Sequence, residues 1–202
     1  MTGRPFDLPP FDPLPVGTAL CLLGLAVAGM TFVTLGMDYP TYSRTEWTAR
    51  LAMMLAAPAI VLFALGAGSP GRGAWWRAFW TAGMAAYLLH FWWAVFGAYG
   101  GDIGAIVERQ GWVAGTNALA TILWVADVAA AWLIKPPPGS AVRLLHLLTW
   151  LIVTISFIVA SAVFRTGVSA MFGDFLALLV AGALAIRWAG RHAAQDVSSR
   201  IS

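Results

Sequence analysis

Two histidines, two aspartates, an arginine and an asparagine stand in apolar runs of this 202-residue chain, where each needs a chemical reason. His90 lies in AYLLHFWWAVFG, within a stretch that carries no charge between Arg77 and Asp102. An imidazole in such a place can ligate a haem or another metal-centred ring, share a proton, or hydrogen-bond a neighbouring helix. An Asp at the centre of a membrane helix costs about 2.5 to 3.5 kcal/mol on insertion scales, so Asp127 and Asp174 are expected to be paired. His146 is the expected partner of Asp127, while Arg50 or Arg165 is expected to serve Asp174. Trp124 and Trp150 fall near the middle of their runs, so they either pack between helices or flank something bound.

These side chains are positioned by a chain that is too apolar for a soluble domain. Hydrophobic residues make up 60% of it and charged residues 10%, and the mean hydropathy is +0.77. The expected class is an all-α, polytopic membrane bundle. Runs of roughly 20 apolar residues match a hydrocarbon core of about 30 Å, and six are marked off by charge and Gly/Pro punctuation: 15–37, 46–67, 75–98, 112–134, 141–164 and 170–189. Residues 1–14 form a Pro-rich interfacial lead-in without the basic start of a signal peptide, so the first run reads as a retained span. Residues 190–202 form a polar tail.

Successive spans alternate in direction. That places Arg4, Arg72, Arg77, Lys135, Arg143, Arg187, Arg191 and Arg200 on one side, against Arg44, Arg50, Arg109 and Arg165 on the other. The positive-inside rule then puts both termini in the cytoplasm, and a bacterial inner membrane is the expected location. The Gly-rich connection 97–111 is external and contains a short apolar-charged segment able to lie flat on the surface. Eight of the eleven tryptophans (Trp47, Trp75, Trp76, Trp92, Trp93, Trp112, Trp132 and Trp188) lie near span ends, where an indole suits the interface.

Helical spacing sorts the polar groups into stripes. Trp76, Trp80, Gly83, Tyr87, His90, Ala94 and Gly97 share one face of the third span. Gly17, Cys21, Gly24, Ala28 and Thr31 give the first span a face of small residues suited to close helix packing. A rise of 1.5 Å per residue sets the depths. Arg50, His90, Asn117 and Asp174 fall level as an outer polar layer, and Asp127 with His146 as an inner pair, about 15 Å away. One haem iron cannot bridge His90 and His146 across that gap. Pro58 is read as a kink, and the scattered methionines as flexible apolar filling rather than a metal site.

Ala86 and His90 resemble the Ala-xxx-His pattern of light-harvesting antenna helices. The resemblance implies a bacteriochlorophyll ring seated over the small residue and ligated by the histidine. It covers one helix, whereas antenna polypeptides have a single span.

No nucleophile with a matching base, no HExxH, no phosphate-binding Gly loop and no pair of catalytic carboxylates occurs in the chain, so catalysis by it alone is not expected. Its few charges form no basic block, which excludes nucleic acid as a partner. The single Cys21 supports neither a disulfide nor a zinc site. Three functions are compatible with these features. The first is an accessory or scaffolding subunit of an energy-converting membrane complex, of the electron-transfer or photosynthetic kind, with lipids and other membrane subunits as partners. The second is an electron-transfer protein holding haem, pigment or quinone at His90 or His146 with Trp124 or Trp150. The third is a solute or ion transporter using the Asp127/His146 layer.

Overall fold

The computed structural model describes residues 11–66, 73–134, 137–163 and 167–201. Among them every regular element is helical: α1 (Pro13–Thr34), α2 (Pro40–Leu65), α3 (Ala74–Trp92), α4 (Ile103–Gln110), α5 (Trp112–Leu133), α6 (Ser140–Ile158) and α7 (Val168–Ile201). α3 and α6 each widen into a π-helical turn, over Trp93–Ala98 and Val159–Val163. The Pro-rich lead-in up to residue 10, Arg72, Lys135 and Arg165 lie outside the described residues.

Each of the six expected spans coincides with one long helix. Five of these, α1, α2, α5, α6 with its π turn, and α7, are long and apolar enough to cross a membrane, which makes the chain an integral membrane protein. α3 is excluded by its hydropathy, since it carries four Trp together with Arg77 and His90. It is instead packed against α1, α2 and α5. Its Gly83 lies so close to α2 that an added Cβ would stand 2.7 Å from Ala56 Cβ, and Trp76 and Trp80 on the same stripe are buried. A helix shielded by its neighbours requires less apolar surface than one facing lipid.

The helix ends follow local chemistry. Asp12 caps α1 by accepting from Leu14 N at 3.2 Å. α2 begins with Pro40 and ends at Gly66 in the left-handed region, φ 79°. Arg187 of α7 donates to Phe63 O at 3.5 Å and Ala64 O at 3.4 Å, supplying positive charge to the carbonyl end of α2. Pro58 sits inside α2 without ending it. At the other end of α7, Gly173 leaves room for the π turn of α6, since a Cβ there would meet Ala162 N at 2.6 Å. The segment after residue 189 continues α7 as helix rather than leaving it as a separate tail.

α1 corrects an expectation. Gly17, Cys21, Gly24, Ala28 and Thr31 are all exposed, and a Cβ at Gly17 or Gly24 would meet nothing within 4 Å. The helix packs through its opposite face, where Pro15, Ala19 and Met30 are buried and Ala19 and Met30 lie against Leu51, Ala52 and Leu55 of α2 and Ala78, Ala82 and Ala86 of α3. Met and Leu side chains there remove more apolar surface from contact with lipid than the glycine face would.

Candidate functional site

Two polar clusters lie at opposite ends of the bundle. At the Gly66 end, His146 Nδ1 and Asp127 Oδ2 are 2.9 Å apart, and Trp80 Nε1 donates to the same carboxylate oxygen at 2.8 Å. The pair is enclosed, with Asp127 0% and His146 2% exposed. Three helices build it: Trp80 from the first half of α3, Asp127 from the last turns of α5 and His146 from the second turn of α6. Aromatic rings pack the imidazole on several sides. Trp76 stands edge-on at 4.5 Å and Phe63 at 4.7 Å. Asp127 Oδ1 and His146 Nε2 have no hydrogen-bond partner among the described residues.

The arrangement is a closed one. Two N–H groups converge on one carboxylate oxygen, which orients the imidazole and holds the acid in the bundle interior. Trp76, expected at the interface, is instead a buried wall of this cage. Trp132, expected there too, is partly buried, donates to Thr81 Oγ1 at 2.9 Å and lies under the Arg77 guanidinium at 4.3 Å. Trp150 pins α6 to α2 through Nε1 to Ile60 O at 3.1 Å.

The α4 end is built differently. His90 Nδ1 lies 2.9 Å from Thr45 O. A carbonyl only accepts, so Nδ1 carries the hydrogen. His90 thus ties α3 to α2, while its ring lines two cavities. Tyr87 donates to Asn117 O at 3.3 Å, which ties α3 to α5. The first cavity, about 140 Å³, is bounded by Tyr87, His90, Asn117, Trp124, Ser156 and Phe157. The second, about 330 Å³, shares Tyr87, His90 and Asn117 and continues along Phe91, Ala94 and Val95 to the underside of α4. The short segment expected to lie flat on the surface is α4 itself. Asp102 caps it by accepting from Ala105 N at 3.0 Å, and Ile103, Ile106 and Val107 face the second cavity.

The structure therefore divides the expected outer layer. His90 and Asn117 share a cavity wall. Arg50 turns to α7, where it donates from Nε to Ser169 Oγ at 2.9 Å, and it meets Glu46 at 3.5 Å. Asp174 is exposed on α7. Equal depth does not bring residues together when their helices point them in different directions around the bundle. His90 and His146 are also far apart: their α2 partners, Thr45 and Phe63, are separated by about 27 Å along that helix at 1.5 Å per residue. Among the described residues no group of three His, Cys, Asp or Glu could hold a metal ion.

The antenna-like seat is closed as well. Ala86 is 1% exposed and packed in the cluster that joins α3 to α1 and α2, rather than beside a cavity that a macrocycle could enter. Trp124 does flank a cavity, and its ring also lies 4.8 Å from Trp80 and 5.5 Å from Tyr87, so it forms the partition between the two clusters.

Sequence reasoning did not identify Trp80 as the second donor to Asp127, Thr45 as the partner of His90, or the apolar side of α4 as a cavity wall. The signal for Trp80 was its place on the stripe containing His90. A backbone carbonyl partner leaves no trace in residue type, so nothing marked Thr45. Comparison with family models, curated proteins and solved structures finds no match to this chain.

Proposed function

We propose that this chain is a six-span subunit of a bacterial inner membrane, with both termini cytoplasmic, that holds one small lipophilic ligand between α3, α5 and α6 and performs no catalysis alone. The observation that carries the reading is the pair of adjoining cavities with Tyr87, His90 and Asn117 in common. Apolar walls with a few convergent neutral polar groups are the usual composition of a small-molecule site. Six crossings follow from counting α3, whose partners α1, α2 and α5 replace the lipid it is too polar to face. The alternating count then sets α4 on the external side.

The test is extraction of the protein purified in native-lipid nanodiscs. A lipophilic small molecule is expected at close to one per chain, with occupancy reduced several-fold in His90→Ala. A wild-type protein that yields none, and that no added lipophilic ring compound stabilises thermally, would overturn the reading. A reporter fused after Ser202 is expected to be active only in its cytoplasmic form.

A second reading has an observation of its own. The outward face of α1, with Gly17, Cys21, Gly24, Ala28 and Thr31 exposed, favours a role as accessory subunit of a larger energy-converting complex, since small residues allow close approach of a partner helix. Gly24→Leu is expected to release partners that co-purify with the wild-type chain while leaving its own thermal stability unchanged. The two readings are compatible, because a subunit that holds a ligand can also dock.

A further inference from the structure

We propose that the two cavities hold a single quinone-class molecule, its neutral ring with two carbonyl acceptors in the first chamber and its isoprenoid tail in the second, beneath α4. The proposal rests on reading this cavity as a ligand site and deepens it by naming the ligand chemistry and its pose.

Size argues first. The first chamber is about 140 Å³, and a cavity of about 150 Å³ is known to accept a benzene ring, so one six-membered ring suits it and a tetrapyrrole does not. Its lining includes the aromatic residues Tyr87, Trp124 and Phe157, which suit a planar group.

Charge argues second. Among the described residues, no Lys, Arg, Asp or Glu lines either chamber. A phosphate head group would be desolvated there without a counter-charge, whereas a neutral carbonyl requires only a hydrogen-bond donor. Two donors are in place. Asn117 and Ser156, whose side chains carry an amide and a hydroxyl, line the first chamber, and neither side chain makes a hydrogen bond among the described residues. Both residues are half-buried, so their donors are open to a partner in the chamber.

The third argument is the contrast between the chambers. The second is larger, about 330 Å³, and apart from the shared wall its lining is mainly apolar, with Ile103, Ile106 and Val107 of α4 as its cover. A ring alone would leave it unfilled; a branched hydrocarbon tail fills it and gains about 25 cal/mol for each Å² of apolar surface buried.

The experiment titrates the full-length protein in phosphatidylcholine nanodiscs with three probes: a benzoquinone bearing a ten-carbon tail, the same ring without a tail, and phosphatidic acid. The tailed quinone is expected to bind at least tenfold more tightly than the bare ring, and phosphatidic acid is expected not to compete. Asn117→Ala with Ser156→Ala is expected to weaken both quinones about tenfold, as loss of two modest hydrogen bonds requires. Ile106→Trp, with Val107→Trp as an independent second variant on the peripheral α4, is expected to weaken only the tailed quinone, again about tenfold. Equal binding of tailed and bare rings, or an α4 variant that changes neither, would overturn the head-and-tail pose. Competition by phosphatidic acid with no quinone binding would overturn the ligand class while leaving the ligand-site reading intact. Binding of none of the probes by a chain that also yields no extractable molecule would remove that reading itself.

Discussion

The two polar clusters use similar parts to opposite ends. Each has one histidine whose Nδ1 is held by an oxygen and whose ring is close to aromatic neighbours. At the Gly66 end the oxygen belongs to Asp127, a potential charge, and the bundle closes around it until acid and imidazole are almost wholly buried. At the α4 end the oxygen belongs to the backbone of Thr45, Tyr87, Asn117 and Ser156 on the cavity wall are neutral, and space remains beside the ring. A charge in the membrane interior must be matched and enclosed, whereas a neutral amide or hydroxyl can stand beside a cavity at modest cost. The closed cluster is therefore expected to contribute stability, and the open one to contribute binding.

Substitutions that separate stability from binding test this contrast. The largest effect is expected for Asp127→Ala, which leaves Trp80 and His146 without their acceptor. Removing one partner of a buried pair costs about 3 to 5 kcal/mol, to be read as a fall in the unfolding midpoint in detergent. A well-folded Asp127→Ala protein that had lost only ligand binding would reverse the comparison. Next comes Gly83→Val, at the α2–α3 seam on which both clusters depend. The added bulk meets Ala56 and is expected to cost about 1 to 3 kcal/mol while lowering ligand occupancy as well.

Trp80→Phe keeps the ring packing and removes only the 2.8 Å bond to Asp127, so a loss of about 1 to 3 kcal/mol is expected for a buried acceptor deprived of one of its donors. Ligand affinity should change little, because Trp80 touches the cavity only through Trp124. Asn117→Ala is expected to move the midpoint least, within about 1 kcal/mol, while weakening binding several-fold. Calorimetric unfolding and ligand titration on the same preparations place each variant on both axes. If Asn117→Ala proved as destabilising as Trp80→Phe, the open cluster would be structural too.

The inner pair was legible in the sequence because two independent facts converged: an intramembrane Asp requires a partner, and the rise per residue put His146 at its level. The outer cluster was legible only in part. Depth put Arg50, His90, Asn117 and Asp174 in one layer, yet Arg50 bonds Ser169 and Asp174 faces outward. The stripe on α1 was a correct observation about spacing whose direction was misread, since a helix with small residues on one face and Ala19 and Met30 on another can pack by either. The cavity itself had no sequence signature, because it is the space left between three helices and α4.

Sequence alone determined the membrane class and the positions of the long helices, because apolar run length and the fixed rise of an α-helix act along the chain. Only the tertiary structure decided how each helix is rotated and which helices are neighbours. Those depend on side chains distant in sequence meeting in space, as when Gly83 admits Ala56 or Trp80 reaches Asp127, and no local periodicity encodes them.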